Sequence, residues 1–187
     1  YELISKLKYK FKLIHISTPE IYGNLEKNTT ESTFFNPTTP YAVSRVTADQ
    51  YLNILYKRKK INFCSIRASN VYGEHQRLYR IIPKAIDFFY RKKVIPLHGG
   101  GSSIRSFIHI DDVCDASYKA IKKGVSGSIY HISSDYYISI KNLLKQISTI
   151  MNVDYKKYVK SASDRKGKDG FYKLKSNKIK KLGWKPK

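Results

Sequence analysis

Apolar positions along the chain fall into short blocks with two different periods. Phe11 to Ser17 (FKLIHIS) is nearly continuous and reads as a buried strand, while Pro19, Gly23, Pro37 and Pro40 punctuate the polar stretch after it. From Tyr41 to about Lys60 the residues Val43, Val46, Tyr51, Leu52 and Leu55 keep mostly helical spacing, and Ile61 to Ala68 reads as a second strand. Strand, helix, strand in that order favours a parallel sheet with a crossover helix. Arg80 to Lys92 predicts another helix and Val94 to Leu97 a short strand, with Gly99 to Gly101 as a turn before a strand over Ser106 to Ile110. Asp111 or Asp112 can cap a helix reaching Lys123. Ser128 to Ser133 predicts a strand, and Ser139 caps an amphipathic helix running to about Met151. A last short helix near Asn177 to Leu182 stops at Gly183. The segment before Phe11 reads as a charged helix tail. With no internal repeat and no long linker, the class is α/β.

Composition narrows the surroundings. With 187 residues and 41% hydrophobic content the chain can bury a core. No stretch approaches the roughly 18 consecutive apolar residues of a membrane helix, and the start lacks the pattern of a signal peptide. Cys64 and Cys114 are the only cysteines, both in apolar sequence surroundings. Two buried thiols imply a reducing, cytoplasmic location and argue against a disulfide. The five histidines (His15, His75, His98, His109 and His131) lack the spacing of a metal site, and His15 and His109, inside expected strands, read as satisfied core groups.

The net charge of +22 raises the possibility of nucleic acid binding. Its lysines are scattered along every segment, however, and runs such as 57–60 and 178–181 sit near expected helix C-termini, where cations complement the dipole. Solvated faces explain that pattern better than a nucleic acid partner does, although a basic cleft would suit a diphosphate.

Three pieces carry candidate chemistry. Ser17-Thr18-Pro19-Glu20 ends a strand, Tyr41-Ala42-Val43-Ser44-Arg45 starts a helix, and Arg67-Ala68-Ser69-Asn70-Val71-Tyr72-Gly73 follows the next strand. Ligands of open α/β sheets bind beyond the carboxyl ends of the strands, where Thr18, Glu20 and Asn70 fall. Tyr41 and Arg45 share one helical face. A guanidinium there favours the phenolate, which can act as a base.

These motifs, with PLHGGGSSIRSFIHIDDV and the terminal LGWKP, resemble the extended short-chain dehydrogenase/reductase family in its NAD-dependent nucleotide-sugar epimerase/dehydratase branch, nearest to the dTDP-glucose 4,6-dehydratases. The likeness runs from about Phe11 to Pro186. It implies the C-terminal portion of a Rossmann-like doubly wound parallel sheet plus a smaller substrate-binding α/β region. Residues 1–75 would be the second half of the NAD-binding domain. Residues 76–187 would mainly bind the sugar nucleotide, with strand segments returning to the sheet.

The resemblance also implies roles. Tyr41 matches the tyrosine that takes the proton from the sugar 4-hydroxyl, Thr18 the residue that hydrogen-bonds that oxygen, and Glu20 the base that removes the C5 proton. Ser17, Tyr41 and Arg45 would face the cofactor NAD. Asn70, Arg105 and Arg165 match positions that hold the nucleotide diphosphate, with Tyr72, the loop at Arg80, and Asp112 lining or bracing the site. Taken alone, Arg105 could instead pair with Asp111 or Asp112. A nucleotide-diphosphate sugar is the implied substrate, and a homodimer through a helix bundle including residues 41–60 is the implied assembly.

Two positions depart from the family pattern. Arg45 stands where a lysine is usual, and its planar fork cannot copy a compact ammonium. Pro19 stands where the dTDP-glucose dehydratases carry an aspartate that donates a proton to the departing hydroxyl. Pro19 weakens the dehydratase reading and leaves an epimerase or a UDP-glucuronate-type decarboxylase as alternatives. Together the two departures also leave room for a non-catalytic homologue. No glycine-rich turn for dinucleotide binding follows a strand anywhere. The chain therefore reads as a C-terminal fragment whose missing N-terminal part would hold the cofactor.

Overall fold

The computed structural model describes residue 6 and residues 10–23, 28–163 and 173–187. Its strands are β1 (Leu13–Ile16), β2 (Asn28–Thr29), β3 (Phe63–Ala68), β4 (Asn70–Tyr72), β5 (Ile95–His98), β6 (Ile104–His109), β7 (Ile129–Ile132), β8 (Tyr137–Ser139), β9 (Val159–Ala162) and β10 (Lys173–Leu174). Its helices are α1 (Pro40–Lys57), α2 (Ile81–Tyr90), α3 (Ile110–Lys123), α4 (Ile140–Ile150), α5 (Tyr155–Tyr158) and α6 (Asn177–Lys180).

The central sheet is parallel, in the order β1-β3-β7, with Leu13 opposite Phe63 and Arg67 opposite His131. Alternation along these strands gives the sheet two unlike faces. Cys64, Ile66, Tyr130 and Ile132 point to one side and pack with Val113, Ala116 and Ala120 of α3 and with Ile179 and Trp184. Phe63 and Leu13 point to the other side, against Leu52 and Leu55 of α1. Helices thus cover both faces, as in doubly wound α/β folds.

Two smaller sheets flank this one. In the first, β6 pairs parallel with β4 and antiparallel with β8. In the second, β5 pairs parallel with β9. Around them α2 and α4 build a second core from Ala85, Phe89, Ile95, Leu97, Leu143, Leu144 and Val159. β2 pairs with β10 in a short parallel ladder.

Most elements fall where the periodicity placed them, with shifted ends. α1 stops at Lys57 rather than near Lys60, because Lys59 turns left-handed (φ 56°) and ends it. β6 begins two residues before Ser106. The short strands β2, β4, β8, β9 and β10 have too few residues to show a period. Gly99 to Gly101 forms the expected turn, with φ from 55° to 68°.

Three expectations need correction. α3 is capped by His109, whose Nδ1 accepts from the Asp111 amide at 3.3 Å, and not by either aspartate. His109 is accordingly a half-exposed cap and not a core group, its ring edge-on to Tyr72 at 5.2 Å. Cys114 is exposed, because Val113, Ala116 and Ala120 take the buried stripe of its helix; only Cys64 is buried.

Candidate active site

At the end of β1 the Ser17 amide still donates to the Ile66 carbonyl (2.8 Å), and the chain then turns. Thr18, buried, caps a single 3-10 turn over Pro19–Tyr22, and its Oγ1 accepts from the Glu20 amide at 3.3 Å. Pro19 suits the first position of such a turn because its φ is preset. Gly23 closes it in the left-handed region (φ 68°), donating to the Glu20 carbonyl at 3.0 Å. A Cβ on Gly23 would lie 2.3 Å from the Asn36 carbonyl oxygen, so only glycine fits.

Thr39 caps α1 through a bond from the Ala42 amide to its Oγ1 (3.1 Å), with Pro40 next. Tyr41 therefore sits in the first turn, and its side chain is about half exposed. One turn on, Arg45 reaches down and donates through Nη2 to the Ile16 carbonyl, the last of β1. Its Nε is buried without a hydrogen-bond partner. Thr18, Glu20, Tyr41 and Arg45 thus gather at the carboxyl end of β1.

The second group lies one strand further. β3 runs through Ser69 into β4, where Asn70 Nδ2 donates to the Ser106 carbonyl at 3.2 Å, beside Arg105. Arg105 lines a cavity of about 270 Å³ with Lys84, His98 and Ser103, between α2, β5 and α4. Arg105 Nη1 donates to the Ile104 carbonyl at 2.9 Å, while the Asp112 carboxylate accepts from the Lys187 amide at 3.0 Å and Asp111 is exposed at the start of α3. Asp112 also receives Trp184 Nε1 on its carbonyl (2.9 Å), bracing residues 184–187, and lines a cavity with Tyr72 and His109. Tyr72 packs on His109, while Arg80 is exposed, its guanidinium over the Tyr79 ring. Arg165 lies outside the described residues.

Beneath Thr18 and Arg45 runs a buried polar cluster that periodicity alone did not reveal. Asp49, one turn beyond Arg45, accepts from Ser17 Oγ (2.9 Å) and Arg67 Nη2 (2.8 Å), and its other oxygen lies 2.9 Å from His15 Nε2. Arg67 Nη1 donates to the Tyr22 hydroxyl and to the Ser32 carbonyl (2.6 Å). The Tyr22 hydroxyl lies 2.7 Å from His131 Nε2. Burial pushes the Asp49 carboxyl up, but the bonds from His15, Ser17 and Arg67, with the Arg67 charge, outweigh it and leave it below the ordinary carboxylate value. Burial, helped by the Arg67 charge, pushes His131 down to about 3, so its ring is neutral and Nε2 is free to accept. Burial also raises Tyr22, against the pull of Arg67. One signal was available: His15 and Arg67 are polar residues inside apolar strands, and Asp49 continues the 41–45 spacing.

Among the described residues, no group of three or more His, Cys, Asp or Glu side chains could hold a metal ion. No helix there is long and apolar enough to cross a membrane.

A parallel sheet covered on both faces, with a Thr-x-Glu turn and a Tyr-x-x-x-Arg helix at one strand end, defines a class of nucleotide-dependent α/β protein. More specifically, residues 1–133 match the profile of the NAD dependent epimerase/dehydratase family, and the chain belongs to that family. The human dTDP-D-glucose 4,6-dehydratase is 35% identical over 182 residues, covering 94% of this chain and 52% of the relative. A trifunctional UDP-glucose 4,6-dehydratase of Arabidopsis thaliana is 31% identical over 177 residues, covering 92% and 26%. Among solved structures, a dTDP-glucose 4,6-dehydratase from Streptomyces venezuelae with NAD bound gives a TM-score of 0.89 at 29% identity, covering 94% of this chain and 55% of the other. The UDP-glucose 4-epimerase of Thermotoga maritima with UDP-glucose gives 0.90 at 27%, covering 100% and 61%. The chain thus spans about half the length of the curated dTDP-D-glucose 4,6-dehydratases it matches.

Proposed function

We propose that this chain supplies the catalytic tyrosine side and the sugar-nucleotide region of an NAD-dependent nucleotide-sugar 4,6-dehydratase. Residues 1–75 contribute to the cofactor sheet, and 76–187 mainly shape the substrate region. The observation that carries this reading is the bond from Arg45 to the Ile16 carbonyl, which fixes the first turn of α1 over the strand end bearing Thr18 and Glu20.

NAD fits the residues present at one end only. Arg45, half-buried at the end of β1, would offer the accessible edge of its guanidinium to a ribose hydroxyl. No glycine-rich turn leads a strand into a helix among the described residues, so the pyrophosphate has no cradle here. Bound NAD would supply the hydride acceptor for sugar C4 and the donor for its return. Tyr41, aided by the Arg45 charge, takes the 4-hydroxyl proton, and Thr18 Oγ1 hydrogen-bonds that oxygen. Glu20 then removes the C5 proton made acidic by the C4 ketone, the C6 hydroxyl leaves as water with a proton drawn from solvent, and C6 of the resulting C5–C6 double bond takes back the hydride while C5 takes a proton. Asn70 and Arg105 hold the diphosphate, and the Arg105 cavity takes the nucleotide.

Pro19 favours a second reading. It is buried in the turn and has no proton to give a departing hydroxyl. An epimerase or decarboxylase on the same scaffold would use Tyr41 and lose no water. Incubating the full-length protein with NAD and nucleotide sugars in heavy water separates these. A product lighter by one water and carrying deuterium establishes the dehydratase. Inverted configuration without water loss or solvent deuterium establishes the epimerase, because its hydride leaves and returns at C4, and loss of carbon dioxide establishes the decarboxylase. Tyr41→Phe should lower kcat on the order of 10²- to 10⁴-fold. Unchanged turnover would exclude all three.

The outer face of α1, with Val43, Tyr51 and Ile54 about half exposed, supports a second copy of the chain as its partner. Sedimentation of the full-length protein should give a dimer.

A further inference from the structure

We propose that Asp49 is a positioning residue, which through Ser17 and Arg67 fixes the turn carrying Thr18 and Glu20 against the helix carrying Tyr41 and Arg45. The inference rests on the reading above, in which those four side chains act on the sugar.

The segment 17–22 is held at both ends by one buried pair. At its start, Ser17 Oγ donates to Asp49 Oδ2 (2.9 Å). At its end, the Tyr22 hydroxyl accepts from Arg67 Nη1, while Arg67 Nη2 donates to that same Asp49 oxygen (2.8 Å). Asp49 belongs to α1, and Arg67 is the penultimate described residue of β3 before the chain turns into β4. The carboxylate therefore joins the three pieces that must keep register: the β1 turn, the Tyr41 helix and the strand leading to Asn70.

The cluster is built to be rigid. The Asp49 side chain is 4% exposed and that of Arg67 1%, at the wall of a cavity of about 230 Å³ that Ser65, Gln50 and Asn53 also line. The planar guanidinium offers two fixed directions and uses both. Between Ser17 and Tyr22 the Glu20 amide bonds Thr18 Oγ1, a short tie within a single turn that does not set its distance from α1. His15, on the same sheet face, places Nε2 2.9 Å from the second carboxylate oxygen. None of Asp49, Arg67 or Tyr22 faces the strand end where the substrate would lie; Asp49 acts only through its neighbours.

Proton transfers are steep in geometry, and a displacement of about 1 Å costs on the order of 10²-fold in rate. Asp49→Asn keeps shape and one acceptor but leaves Arg67 without its counter-charge. In the full-length protein we expect kcat to fall by on the order of 10²-fold, with KM for the nucleotide sugar changed less than about twofold. Amide exchange at Ile21 to Gly23 should rise while Phe63 to Ala68 stay protected. Tyr22→Phe removes one end of the clamp without exposing a charge. It should remain folded and lose about tenfold in kcat with the same exchange signature. Wild-type kcat in folded Asp49→Asn, or in Tyr22→Phe should the first not fold, would overturn the proposal. So would a uniform loss of protection with kcat per folded molecule unchanged, which would make the cluster a scaffold only. Tyr41→Phe, run alongside, keeps the two readings apart: full activity there sinks the site itself, whatever Asp49 does.

Discussion

A buried arginine is costly to keep and costlier to strand. Arg67 is 1% exposed and its charge is met by Asp49, with the Tyr22 hydroxyl and the Ser32 carbonyl accepting from Nη1 while Nε is buried without a hydrogen-bond partner. Desolvation consumes much of what the ion pair gains, so the pair adds little net stability compared with apolar side chains of the same size. Removing one member is a different matter. Arg67→Ala leaves Asp49 buried with only Ser17 and His15, and should destabilise the fold by about 3–5 kcal/mol in denaturant titration. A loss below about 1 kcal/mol would mean that water reaches the carboxylate. In the sequence, Arg67 stood out as the first letter of a motif and as a charge inside an apolar strand. That it faces α1 follows from β-strand alternation once β3 is known to be covered on both sides.

At the scale of elements, turns and helix ends set where the site sits. The turn over Pro19–Tyr22 depends on Gly23, whose left-handed backbone and contact with Asn36 leave no room for a side chain. Gly23→Ala should cost more than about 1 kcal/mol and lower turnover through Glu20. Thermal melting and kcat on the same sample would show both, and an unshifted Tm would mean that the loop at Asn36 yields. Elsewhere the chain accepts strain. α2 ends in a left-handed Lys92 (φ 54°), with the Lys93 amide bonded back to the Phe88 carbonyl at 2.8 Å, the pattern that usually uses glycine. Lys92→Gly should therefore stabilise by about 0.5–1 kcal/mol after the added freedom of the unfolded chain is subtracted. A lower Tm would show that the lysine side chain matters there. Helix starts were legible from Thr39 and Ser139, whereas the His109 cap was not, because histidine is an uncommon capping residue.

For the whole molecule the buried imidazole of His131 ties stability to pH. Burial, then the nearby Arg67 charge, lowers it from 6.5 to about 3. Between those values the unfolded chain binds the proton and the folded one does not, so stability falls as pH falls. The slope approaches about 1.4 kcal/mol per pH unit in that window. Asp49 acts in the same sense: its lowered folded value means that its contribution, present above the ordinary carboxylate range, is lost as pH drops through that lowered value. Denaturant unfolding measured between about pH 7 and 4 should show the decline, and a flat profile would mean that His131 takes up a proton without unfolding.

Periodicity, turn chemistry and short spacings were enough to read the alternation of strands and helices, the α/β class and the order of the Thr18, Tyr41 and Asn70 motifs, and the motifs' resemblance was enough for the family. Register and packing alone placed Arg45 on the end of β1, Trp184 on the Asp112 carbonyl and Cys114 toward solvent. The same holds for the union of His15, Asp49, Arg67, Tyr22 and His131, which spans more than a hundred residues of sequence. Local pattern records which face of an element is apolar. It does not record which polar residues on separate strands and helices share one buried space, since that depends on register between strands and on which helix covers which face.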